Sequence, residues 1–131
     1  MRLGFIGLGN MGGELVPHLL AAGHVVNAYA RGERSRAQAA RLGLKPLAAP
    51  ADVAAASEVV FTMVTTGDDV ESVAIGANGI AAGAARGLIH VDMSTISPAI
   101  TRRIGERLSQ QGLVMLDAPV SGGVVAAKAA T

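Results

Sequence analysis

Short apolar runs alternate along this chain with stretches in which apolar residues recur every three or four positions. Arg2 to Ile6, Val25 to Ala30, Glu58 to Val64, Leu88 to Asp92 and Leu113 to Ala118 are brief and mostly apolar, the pattern of strands buried on both faces. Leu44 to Ala48 is a weaker sixth candidate. Between the runs, Met11, Leu15, Leu19 and Ala22 predict a helix over 10–22 that Gly23 stops. Pro17 falls inside that helix, where it removes a hydrogen bond and predicts a kink. Glu33 to Leu42 reads as a helix ended by Gly43, and Pro50 to Ser57 as a short one with proline in its first turn. Asp68 to Ile75 gives one or two turns, followed by a glycine-rich loop with a further turn before Gly87. Ser97 is placed as an N-cap with Pro98 at the first helical position, opening a helix to Gln111 that Gly112 stops.

Strands separated by helices are the signature of crossover connections and a parallel sheet. The fold class expected is α/β, a doubly wound, mainly parallel Rossmann sheet with helices on both faces, as one domain over residues 1–131. In such a sheet ligands bind beyond the carboxyl ends of the strands. The turns after each strand are therefore where chemistry is expected.

Composition narrows the partners. The 131 residues are 50% hydrophobic but only 2% aromatic, and eleven basic side chains against ten acidic leave a net charge of +1. That balance gives no long-range field for nucleic acid or an anionic membrane, so neither is an expected partner. With no cysteine, disulfides, thiolate metal sites and a thiol nucleophile are excluded. No apolar run reaches ~18 residues, and Met1 leads into a strand rather than a signal peptide, so a cytoplasmic location is expected. Seventeen glycines leave few large core side chains, which leaves open that part of the surface is buried elsewhere. His18, His24 and His90 share no metal-binding spacing, and structural roles are expected for them.

Four motifs carry the chemistry. Gly7-x-Gly9-x-x-Gly12 follows the first strand and opens the first helix, the context a dinucleotide fingerprint requires. Gly7 permits the tight turn, Gly9 lets a pyrophosphate approach the backbone, and Gly12 lets helix and strand pack closely. The end of the second strand reads Asn27-Ala28-Tyr29-Ala30-Arg31, with Arg34 and Arg36 close behind and no carboxylate for a ribose 2′-hydroxyl. A guanidinium there suits a 2′-phosphate, so NADP is expected with NAD as second choice, Arg31 making the main contact. Val64-Thr65-Thr66 and Asp92-Met93-Ser94-Thr95 follow two further strands; Thr95 is the favoured functional hydroxyl among them. Asp117-Ala118-Pro119-Val120-Ser121-Gly122-Gly123 reads either as a backbone nest for a carboxylate or as a plain loop.

Gly4 to Gly12, Asp92 to Thr95 and Asp117 to Gly123, in this order and spacing, resemble the β-hydroxyacid dehydrogenases. That family includes 3-hydroxyisobutyrate dehydrogenase and glyoxylate/succinic semialdehyde reductase, and it is related to 6-phosphogluconate dehydrogenase. The resemblance implies hydride transfer between NADP and a small hydroxy acid or its semialdehyde. It places Leu8, Asn10 and Met11 against the pyrophosphate, Val64 and Thr65 near the riboses, and Thr95 near nicotinamide and substrate. Ser121, Gly122 and Gly123 would hold the substrate carboxylate. The family's catalytic lysine lies on a helix beyond the last glycine motif; Lys45 and Lys128 do not fit that position, and Thr131 precedes it. No catalytic residue is therefore assigned within the chain, and a helical catalytic and dimerising domain is expected to be absent from it. The isolated chain is expected to bind NADPH weakly, to turn over negligibly, and to self-associate through apolar surface around Val120 and Val124 to Ala127. Two other readings stay open: an imine or pyrroline-carboxylate reductase domain, and a natively short nucleotide-binding module.

Overall fold

The computed structural model describes residues 1–131. Five parallel strands form one sheet in the order β2-β1-β3-β4-β5: β1 (Arg2–Ile6), β2 (Val25–Tyr29), β3 (Val59–Thr62), β4 (Ile89–Asp92) and β5 (Val114–Asp117). The helices are α1 (Gly12–Ala21), α2 (Glu33–Arg41), α3 (Pro50–Ala55), α4 (Gly67–Ile75), α5 (Ile80–Gly83), α6 (Pro98–Gln110) and α7 (Gly123–Ala129). This is the expected doubly wound α/β architecture.

Alternation along each strand divides the core between the two faces. Ile6 and Val60 pack with Val53, Val70, Ile80, Ile104 and Leu108 of α3 to α6. Phe5, Val26 and Ala28 pack with Val16 of α1 and Ala39 of α2 on the other face. Phe5 and Phe61, register partners in β1 and β3, stack there with centroids 6.2 Å apart. On this second face Ala28, Ala30 and Ala39 allow close backbone packing beside the larger Phe5, Leu8 and Val16.

Two sequence expectations are corrected. Leu44 to Ala48 is not a strand: it touches the sheet through a single bridge between Leu47 and Tyr29, with the Leu47 N–H donating to the Ala28 carbonyl at 2.8 Å. Pro46, immediately before it, has no N–H to extend a ladder. Val124 to Ala127, expected together with Val120 to form exposed apolar surface, lie within a helix, α7. Val120, Val124 and Val125 are exposed as expected, but Ala127 is buried where α7 packs on α1. The His18 Nε2 lies 2.9 Å from the Ala127 carbonyl and ties the two helices together. Pro17 lies inside α1, which is helical from Gly12 to Ala21.

The four strand pairings share one level. Tyr29, Ile6, Thr62, Asp92 and Asp117 are register neighbours across the sheet. The glycine turn and the strand-end turns all start just past this row. No helix is long and apolar enough to cross a membrane.

Candidate functional site

A cleft of about 300 Å³ opens beyond the carboxyl ends of β1, β2 and β3. Its floor is the turn between β1 and α1. Gly7 adopts φ +107°, and a Cβ there would strike the Met63 carbonyl, so only glycine turns the chain this tightly against β3. A Cβ on Gly12 would meet the Gly7 carbonyl and the Phe5 ring, which makes it the contact point of helix on strand. Over Gly9 nothing lies within 4 Å of a Cβ, so glycine is not needed there for the fold.

The backbone N–H groups of residues 8–12 make no hydrogen bond within the chain; the first inward bond is from the Gly13 N–H to the Gly9 carbonyl, 2.9 Å. Met11, the cap residue of α1, adds no side-chain cap. Five free donors and the positive end of α1 therefore face one turn, a combination suited to an anion.

Of the residues singled out in the sequence, Gly7, Leu8, Gly9, Arg31, Val64 and Thr65 line this cleft together. Leu8 does so through its backbone, its side chain being buried among Phe5 and Val16. Asn10 lines a second cleft on the α2 side of the turn, where its Oδ1 accepts from the Arg34 guanidinium at 2.7 Å. Met11 and Gly12 sit at the start of α1. Thr95 and the 121–123 turn are exposed on the same edge of the sheet but do not line the cleft. Gly122 and Gly123 both have positive φ, +94° and +62°, and lead into α7.

Arg31 stands just past β2 with its side chain exposed, and the strand end bears no carboxylate. Arg36 donates to the Arg31 carbonyl at 2.7 Å and so braces this turn. Across the cleft, 3.8 Å from the Arg31 guanidinium, lies the carboxylate of Asp69, a residue the sequence reading did not single out. Its signal was the Thr66-x-x-Asp69 spacing, which forms a capping box at the start of α4.

The wall between β3 and β4 is fixed by polar groups buried at the strand ends. Thr62 Oγ1 donates to Asp92 Oδ1 at 2.8 Å, and that oxygen also accepts the Ser94 N–H at 3.1 Å. Ser94 Oγ in turn accepts the Val64 N–H at 3.0 Å, which locks the cleft wall beside Thr65 to the end of β4. His90 Nε2 lies 2.9 Å from Thr62 Oγ1. Because the threonine proton goes to Asp92, the imidazole is the donor here, which makes it the neutral Nε2–H tautomer. Its Nδ1 and the Asp92 Oδ2 are buried without a partner. Burial pushes the His90 imidazole down to about 4, against an opposing pull from the Asp92 carboxylate.

Comparison with known proteins bears on this site. The NAD binding domain of 6-phosphogluconate dehydrogenase, as a family, matches residues 2–131. A 3-hydroxyisobutyrate dehydrogenase from Pseudomonas aeruginosa is 38% identical over 98% of this chain and 43% of its own length. A solved 3-hydroxyisobutyrate dehydrogenase from Mycobacterium tuberculosis superposes with a TM-score of 0.91 at 35% identity, over 99% of this chain and 44% of that one. An imine reductase from Streptomyces aurantiacus is more distant, with a TM-score of 0.75 at 26% identity over 89% of this chain and 40% of that one. The chain thus spans less than half the length of these proteins. The fingerprint at the head of α1, the parallel sheet and the match over 2–131 agree: this chain belongs to the family of the NAD binding domain of 6-phosphogluconate dehydrogenase.

Proposed function

We propose that this chain is the NADP-binding part of an oxidoreductase that moves hydride between NADP(H) and a small 3-hydroxy acid or its semialdehyde. The observation that carries the reading is the cleft beyond β1 and β2, where five free N–H groups meet open space over Gly9 and the exposed guanidinium of Arg31. The pyrophosphate rests on the backbone of residues 8–12, with Asn10 and Met11 flanking it. Arg31 takes the 2′-phosphate, and Val64 and Thr65 border the riboses. Bound NADP supplies the hydride-accepting ring; the chain supplies its orientation and electrostatics. Thr95 lies toward nicotinamide and substrate, and the turn at Ser121, Gly122 and Gly123 receives the substrate carboxylate.

Proton transfer at the substrate oxygen is assigned to a lysine outside residues 1–131, on a helical domain that also builds a dimer. The exposed Val120, Val124 and Val125 are where self-association is expected. Titration of NADPH and NADH against the wild type and Arg31→Ala tests the cofactor assignment. Selective loss of NADPH affinity is expected, and unchanged NADPH affinity refutes it. Vigorous hydroxy-acid oxidation by the 131-residue chain alone would overturn the assignment of proton chemistry to an outside residue. The gene product with its native reading frame should oxidise small 3-hydroxy acids; reduction of cyclic imines instead would favour the imine reductase reading.

A further inference from the structure

The residues lining the cleft include one cationic and one anionic side chain, Arg31 and Asp69. They face each other from opposite walls, Arg31 from the turn after β2 and Asp69 from the first turn of α4, with Nη2 and Oδ1 3.8 Å apart. The two differ in freedom. Asp69 is pinned by the capping box, its Oδ2 accepting the Thr66 N–H at 3.2 Å while its own N–H donates to Thr66 Oγ1 at 3.1 Å. Its side chain is 30% exposed, whereas that of Arg31 is 76% exposed and has no other side-chain partner. A fixed anion therefore confronts an exposed cation. The separation exceeds that of a charge-assisted hydrogen bond, so a phosphate making direct contacts to Arg31 is the stronger partner.

We propose that Asp69 is a specificity-determining residue: it competes with the cofactor's 2′-phosphate for Arg31 and so holds down the preference for NADP over NAD. This rests on Arg31 being the 2′-phosphate contact. When the phosphate arrives, Arg31 leaves Asp69 for it. The binding of NADP is then weakened by the pair that must be separated. NAD, with a hydroxyl in that place, leaves the pair intact. The position of Asp69 on α4 fits this role, because the end of β2 bears no carboxylate and Asp69 faces Arg31 from the opposite wall.

The test is equilibrium binding of NADPH and NADH, followed by nicotinamide fluorescence, to four forms of the chain: wild type, Asp69→Asn, Arg31→Ala and the double variant. Asparagine keeps an oxygen for the Thr66 N–H, and Asp69→Ser serves as a second neutral form should the first fold poorly. Asp69→Asn is expected to tighten NADPH binding roughly two- to five-fold, the scale of one exposed ion pair, with NADH unchanged. The gain is expected to vanish in the Arg31→Ala background and to shrink at high salt. Equal gains for both cofactors, no gain, or a full gain without Arg31 each overturn the proposal. If Arg31→Ala selectively weakens NADPH while Asp69→Asn changes nothing, this proposal alone fails. If Arg31→Ala leaves NADPH affinity intact, the phosphate reading fails with it.

Discussion

Acidification tests the buried polar cluster most directly. In the unfolded chain His90 titrates near its ordinary 6.5, whereas in the folded protein burial holds it down to about 4. Between those values the unfolded state binds the extra proton. The His90 contribution is fully favourable above pH 6.5, declines as pH falls toward 4, and is constant below that. At 1.36 kcal/mol per pKa unit, the window of roughly 2.5 units amounts to about 3 kcal/mol, most of it lost by pH 4.5. A domain of this size is stable by about 5–15 kcal/mol, so the loss is large. Glu58 acts in the same sense but lower: the Arg2 backbone N–H holds its carboxyl below the usual range, so its contribution too is lost as pH falls from the ordinary carboxylate range through that depressed value. The assay is urea unfolding at pH 7.5, 6.5, 5.5 and 4.5, followed by far-ultraviolet circular dichroism because the chain has no tryptophan and one tyrosine. His90→Val should flatten the curve relative to wild type, since Thr62 keeps its bond to Asp92 without the imidazole. Parallel curves for the two proteins, within about 0.5 kcal/mol over that range, would show that His90 does not titrate as described.

Four further outcomes are expected. Gly7→Ala should destabilise the fold by about 2–4 kcal/mol in urea unfolding, because the new Cβ meets the Met63 carbonyl at a positive φ. Gly9→Ala should leave the melting curve almost unchanged while weakening NADPH at least ten-fold, separating the fold's glycine from the ligand's. Ser94→Ala, by stranding the Val64 N–H, should cost about 1–3 kcal/mol and weaken both cofactors alike in fluorescence titrations. Ser97→Ala removes the cap that accepts the Ile100 N–H at 3.3 Å and should lower stability by about 1 kcal/mol without altering cofactor affinity.

What was legible in the sequence follows from locality. The strands from Arg2, Val25, Glu58, Leu88 and Leu113 were visible because both-face burial demands short, continuous apolar runs, and the glycine turn because its spacing and context are local. Ser97 and Pro98 marked the start of α6 for the same reason. Leu44 to Ala48 misled because its apolar residues suit a strand while Pro46 lacks the donor a ladder needs. The start of α7 was hidden by Gly122 and Gly123, which read as a loop although their left-handed backbone leads into a helix. The cluster of Thr62, His90, Asp92 and Ser94 was the least visible. It exists only because β3 and β4 pair with Thr62 beside Asp92, a register no single segment encodes. Polar residues at alternate places in two otherwise apolar strands were its only trace.

The row formed by Tyr29, Ile6, Thr62, Asp92 and Asp117 sets how this protein can be re-engineered. An inserted residue inside a strand would turn its side chains to the opposite face and carry its terminal turn about 3.3 Å past its neighbours. The same insertion beyond the row falls in a turn that no ladder constrains. Turns grafted after the row from relatives with other ligand preferences should therefore be accepted as cassettes, each keeping its own geometry while the sheet beneath supplies a common starting level.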